Sequence, residues 1–205
     1  MPYEIVRGKK KEYKKRLSFK KIKLIWLAVF NIPHEVGFSL DFDKNGTFVR
    51  LGVFPNGKRD ELNLIDSMVI EAHTHPDPAH IAFPSPTDLF AQAKRSINSN
   101  STHIKKWKNF VGPLACVFSR WGAVTYSYKR CKLPSSKDRK DILDFITKIS
   151  AATKIDTYRT MRLYSEFVRT YGFRICLQSW EEIRTKGLRL EWESRRFHKK
   201  AKVKK

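Results

Sequence analysis

Cysteine is scarce in this chain. Cys116, Cys131 and Cys176 are the only three among 205 residues, and no C-x-x-C pair occurs. That excludes a structural zinc site of the paired-thiolate kind. An odd count without an export signal fits a reducing compartment with the thiols buried. Long apolar runs are missing as well. The longest, Leu24-Ile25-Trp26-Leu27-Ala28-Val29-Phe30, is far short of the ~20 residues that a membrane-spanning helix needs. The residues after it, Asn31-Ile32-Pro33-His34-Glu35, do not make a small-residue cleavage site. Acidic residues are few: 20 Asp and Glu stand against 42 Lys and Arg, a formal charge of +22. No internal repeat is present.

What remains is a basic, globular composition, 41% hydrophobic and 13% aromatic, long enough for one good core. The charge is concentrated at the ends. Residues 1–21 hold nine basic and two acidic residues, and residues 191–205 hold seven and two. A field of this sign favours polyanions: nucleic acid, an anionic membrane surface or acidic protein. Taken alone, each end reads equally well as a solvated, disordered segment. The organisation expected is a basic N-terminal arm (1–21), a central domain (22–135), a helical extension (136–190) and a basic C-terminal tail (191–205). The expected setting is intracellular, cytoplasmic or nuclear, or inside a virion.

Period-two alternation places a half-buried strand over Val36–Phe42, with Val36, Phe38, Leu40 and Phe42 on one face. Asn45-Gly46 signals a tight hairpin turn into a return strand, Thr47–Phe54. Residues 58–66 read as a charged loop, and Met68–His75 as the next strand. Leu114–Phe118 and Ala123–Tyr128 make a hairpin around Arg120-Trp121-Gly122. Helices are expected from Ser136, from about Ile155 to Tyr171 with Gly172 as its stop, and over Leu177–Lys186. Leu24–Phe30 is apolar throughout and suits a buried strand or a buried helix.

The most informative stretch is His73-Thr74-His75-Pro76, followed by Ser85-Pro86-Thr87-Asp88. Histidines two apart share one face of a strand. Asp88 would come from the start of a helix whose N-cap is Ser85, with Pro86 at the first helical position. Two imidazoles and one carboxylate leave the fourth tetrahedral position of Zn2+ open to water, the layout of a catalytic zinc. Each residue also has an ordinary role. Asp88 suits the positive end of the helix dipole, and Ser85 suits the cap.

These residues, with an upstream Glu, resemble the zinc motif of the JAMM (MPN-plus) metalloprotease family: Glu, then H-x-H-P, then S-x-x-D. The resemblance covers about residues 35–128. The nine residues between His75 and Ser85 are more than the family pattern has. The resemblance implies an α/β fold of the MPN type, a mixed curved sheet with flanking helices. It implies zinc held by His73, His75 and Asp88, and hydrolysis of a peptide or isopeptide bond, ubiquitin-like conjugates being among the family's substrates. It implies that Ser85 donates toward the oxyanion of the intermediate. Glu35, at the start of the upstream strand, resembles the family's general base. Glu71, two residues before His73, competes for that role, and otherwise orients an imidazole.

His80 lies in the long connection and reads as exposed, with a place in the site as its other reading. Lys105-Lys106-Trp107-Lys108 interleaves an indole with lysines, a pattern for stacking single-stranded bases or for a core aromatic at a sheet edge. The alternative for the whole chain is a non-catalytic, nucleic-acid-associated protein on an MPN-like scaffold, such as a virion or assembly component.

Overall fold

The computed structural model describes residues 3–42, 47–54, 68–75, 83–99, 111–130, 132–151 and 157–201. The chain begins with strand β1 (Tyr3–Leu17), helix α1 (Phe19–Asn31), β2 (Gly37–Phe42), β3 (Phe48–Phe54) and β4 (Met68–His75). It continues with α2 (Pro86–Ser99), β5 (Val111–Ser119), β6 (Gly122–Tyr128), α3 (Ser136–Ala151) and α4 (Thr157–Thr170). It ends with β7 (Phe173–Ser179), α5 (Trp180–Lys186) and β8 (Leu188–Ala201). Among these residues no helix is long and apolar enough to cross a membrane.

The fold is mixed α/β. Six strands form one sheet in the order β3-β2-β4-β5-β6-β7, antiparallel throughout except for the parallel pair β4–β5. Helix α2 makes the crossover between those two, as a parallel pair requires. One sheet face packs Phe38, Leu40, Ile70 and Cys116 against Ile22, Ile25 and Val29 of α1, Ile183 of α5 and Leu188. The other packs Val117, Val124 and Phe173 against Leu89 and Ala93 of α2, Ile142 of α3 and Met161 and Tyr164 of α4. The sheet is thus the middle of three layers.

Of the two readings open for Leu24–Phe30, the helix is the one found: Ile22, Ile25, Ala28 and Val29 are buried while Leu24, Leu27 and Phe30 are exposed. The exposed leucines hid the helical period. Other elements differ from the sequence expectation. Strand β2 is buried on both faces rather than half-buried; Ser39 and Asp41 are both 2% exposed. Asp41 is held there by Arg50 at 2.8 Å.

The segment 136–190 is not wholly helical. The helix expected over Leu177–Lys186 is instead the end of β7 and the short α5, joined at a capping box formed by Ser179 and Glu182. Strand β7 is the sixth strand of the main sheet. Helix α4 does stop before Gly172, whose φ of +96° is the left-handed conformation that glycine tolerates.

The two basic ends, which read equally well as solvated segments or as polyanion-binding ones, pair with each other: β1 and β8 form an antiparallel two-stranded ribbon. Its base joins the core through Leu17, Leu188 and Leu190. The tight entry at Gly187, with φ +79°, brings a Cβ position within 2.9 Å of the Leu17 carbonyl oxygen. The Asn45-Gly46 turn, the 58–66 loop and Cys131 lie outside the described residues. Cys116 is buried and Cys176 partly so, both as free thiols.

Candidate metal centre

Side-chain alternation puts Glu71, His73 and His75 of β4 on the sheet face that α2 covers. Thr74 faces the other way and is fully buried. The Thr74 hydroxyl accepts from the Val36 backbone N–H at 2.9 Å, and the Thr74 N–H donates to the Val36 carbonyl at 3.0 Å. This pair of hydrogen bonds extends the β2–β4 pairing one step beyond Gly37–His73. The next residue back, Glu35, therefore lies across from His75. Its Oε1 is 3.7 Å from His75 Nε2, and the Glu35 side chain is 67% exposed.

Asp88 comes from the first turn of α2. The Ser85 N–H and the Ser85 hydroxyl each donate to Asp88 Oδ2 at 2.8 Å, and the Asp88 N–H donates back to Ser85 Oγ at 3.2 Å. This reciprocal cap fixes the carboxylate in one orientation. Upstream, Phe83 and Pro84 are buried against α4. The Tyr164 hydroxyl donates to the Pro84 carbonyl at 2.8 Å, and its ring lies 4.3 Å from that of Phe83. The C-terminal helices therefore hold the start of α2 in place.

The three donors converge. His73 Nε2 and His75 Nε2 are 3.1 Å apart, and Asp88 Oδ2 is 3.5 Å from the first and 4.0 Å from the second. Ligands about 2.0–2.1 Å from a tetrahedral zinc sit ~3.3 Å from one another, so the spacing fits a divalent ion with little movement. The group is His73, His75 and Asp88, all half-buried. Burial pushes the Asp88 carboxyl up, but the hydrogen bond and charge of His73 and the two Ser85 donors outweigh it. They hold the group down to about 2. The carboxylate is thus ionised and ready to ligate. The long connection from Pro76 to Pro84 does not keep Asp88 from the histidines.

Glu71 is engaged elsewhere. Its Oε2 pairs with an Arg95 guanidinium nitrogen at 2.5 Å. Arg95 is two turns along α2 from Asp88, on the same helix face. His73, Asp88, Glu71, Arg95, Gly37 and Tyr126 line a cleft of about 300 Å³ that opens beside the donors. Sequence reasoning missed Thr74, Arg95, Tyr126 and Tyr164. The helical spacing of Asp88 and Arg95 was a legible signal for one of them; the others needed the fold. His34, the neighbour of Glu35, is exposed. His80, His103, Lys105, Lys106, Trp107 and Lys108 lie outside the described residues.

Comparison of the chain with protein-family models, with curated proteins and with solved structures gives no match. Its chemistry is read from the site itself.

Proposed function

We propose that the chain is a zinc-dependent hydrolase of the JAMM type, acting on a peptide or isopeptide bond, on an MPN-like sheet. The observation that carries this reading is the meeting of His73, His75 and Asp88 from two separated segments, with Glu35 from a third beside them. Two nitrogens and one carboxylate oxygen suit zinc and leave a coordination position open. Bound there, the metal would supply a Lewis acid and a water whose pKa is near 7.

The protein's own residues do the rest. Glu35 is exposed, with Oε1 3.7 Å from His75 Nε2; in the proposed reaction that oxygen takes a proton from water and returns it to the leaving amine. Glu71, paired to Arg95, is the poorer base and stiffens the wall of the cleft. Ser85 fixes the orientation of the Asp88 ligand through its hydroxyl. In the proposed reaction the same hydroxyl turns its one proton from Asp88 to the developing oxyanion. A protein or ubiquitin-like conjugate is the proposed substrate class, and a reducing intracellular compartment the proposed setting.

The test is metal content and hydrolysis measured on one preparation. The native protein is expected to hold about one zinc per chain, and His73→Ala to lose it. Glu35→Gln is expected to keep zinc while turnover on a fluorogenic isopeptide substrate falls by at least ~10²-fold. Full turnover in Glu35→Gln removes Glu35 from its role, and a metal-free native protein ends the reading.

A further inference from the structure

The β1–β8 ribbon contributes nothing to the metal centre, yet it holds much of the chain's positive charge. Its base is fastened to the body. Leu17, Leu188 and Leu190 are buried, Arg16 donates to the Lys186 carbonyl at 3.0 Å, and Glu191 pairs with Arg174 at 3.1 Å. Beyond the base the register continues to Tyr3 opposite Ala201. This outer half comprises residues 3–11 and 194–201, ~25–30 Å of strand at 3.4 Å per residue. It carries eight basic residues, Arg7, Lys9, Lys10, Lys11, Arg195, Arg196, Lys199 and Lys200, against one acid, Glu4.

The charge changes character along the ribbon. Near the base Glu12 stands opposite Glu193 and Lys14 opposite Glu191, while farther out Lys10 stands opposite Arg195. Lysine on a sheet edge protects against unwanted strand addition, but eight cations against one acid in the outer half is an excess that suits a polyanion. The register shift between Arg7 and Lys10 adds local twist, which suits a ribbon following a curved surface.

We propose that the outer half of this ribbon is a binding arm for duplex DNA. A two-stranded ribbon, with strands ~4.8 Å apart, is one of the two elements that the ~12 Å major groove admits. The deep, narrow major groove of A-form RNA does not admit it. The contacts are with phosphate, so binding is independent of sequence. The +22 charge of the whole chain adds attraction at long range. The inference stands apart from the metal reading, because no ligand of the metal centre lies on either strand.

Fluorescence anisotropy of the full chain with a labelled 30-base-pair DNA duplex tests it, with single-stranded DNA, duplex RNA and phosphatidylserine vesicles as competitors. Six to eight phosphate contacts predict a slope of log K against log salt of about −5 to −7 and a loss of about 10³- to 10⁴-fold between 50 and 200 mM salt. The Lys9→Ala/Lys10→Ala/Lys11→Ala triple variant is expected to make the slope shallower by about 2.7, and Arg195→Ala/Arg196→Ala by about 1.8. Both lie beyond the anchored base, and an unchanged melting midpoint confirms that the body is intact. His73→Ala is expected to bind duplex as the native chain does. Unaltered affinity and slope in both ribbon variants overturn the proposal, and so does tighter capture by vesicles or duplex RNA than by duplex DNA.

Discussion

Thr74→Val offers the cleanest dissection of how the fold aims the candidate metal centre. Valine has the shape of threonine without the hydroxyl, so no cavity opens at this fully buried position. What is lost is the acceptor for the Val36 N–H, now 2.9 Å from Thr74 Oγ1. Val36 is itself 3% exposed, so water cannot replace the oxygen. Leaving a buried amide unpaired costs about 1–3 kcal/mol. For a chain of this size ~2 kcal/mol corresponds to a midpoint ~4–8 °C lower. Thr74→Ser retains the oxygen and gives up one methyl, about 0.8 kcal/mol. The expected order of stability is native, then serine, then valine, read by thermal or urea unfolding. Function should divide in the same way. His73, His75 and Asp88 are untouched in the valine variant, so zinc content should hold. Glu35, whose neighbour is the residue released, should lose its position, and turnover should fall more than metal affinity does. A valine variant with the native midpoint and native turnover would show that the hydroxyl positions nothing.

Tyr164→Phe is expected to cost about 1–3 kcal/mol, because the buried Pro84 carbonyl loses its donor at 2.8 Å. It should also weaken zinc retention in competition with a chelator, since that contact holds the segment leading to Ser85 and Asp88. Equal chelator resistance in native and variant protein would separate α4 from the metal centre. Acid stability of the metal-free protein follows from Asp88. Its carboxyl, ordinarily near 3.8, is held down to about 2 in the folded chain. The stabilisation is complete above 3.8 and is lost as pH falls from there through 2. The size is about 2 kcal/mol. Urea midpoints at pH 4 and pH 2 should therefore converge more in Asp88→Asn than in the native chain, and parallel losses in the two would contradict this account.

The parts of the fold that were legible in the sequence are those written in local periodicity. Phe38, Leu40 and Phe42 alternate with smaller or polar residues, and β2 follows. Met68–His75 reads as a strand and is one. Ser85-Pro86-Thr87-Asp88 reads as a helix start and forms the reciprocal cap. Where the signal was ambiguous or masked by composition, the reading stayed open or missed. Leu24–Phe30 is apolar on every side, so the helical stripe of Ile22, Ile25 and Val29 was hidden. Residues 173–186 divide at Ser179, whose capping partner Glu182 was visible in the sequence, while the strand before it was not separated from the helix. Runs of lysine with little apolar content do not announce strands, and β1 meets β8 only because the two ends are brought together by everything between them.

The sequence by itself determined the donor types, their order along the chain and the face that His73 and His75 share, because a strand's alternation and a helix cap are properties of neighbouring residues. Tertiary structure decided which acid attends the imidazoles. Glu71 is nearer in sequence, but Arg95 from α2 occupies it at 2.5 Å. Glu35 is 40 residues from His75 along the chain and reaches it because Thr74 locks Val36 into the adjoining strand. The approach of Asp88 to both histidines likewise depends on how α2 lies across the sheet and on the grip of Tyr164 on Pro84. Spacing along a chain says which groups are available; packing between distant segments sets which of them come close enough to share one ion, with ligand atoms ~3.3 Å apart, or to pass a proton over ~2.6–3.2 Å.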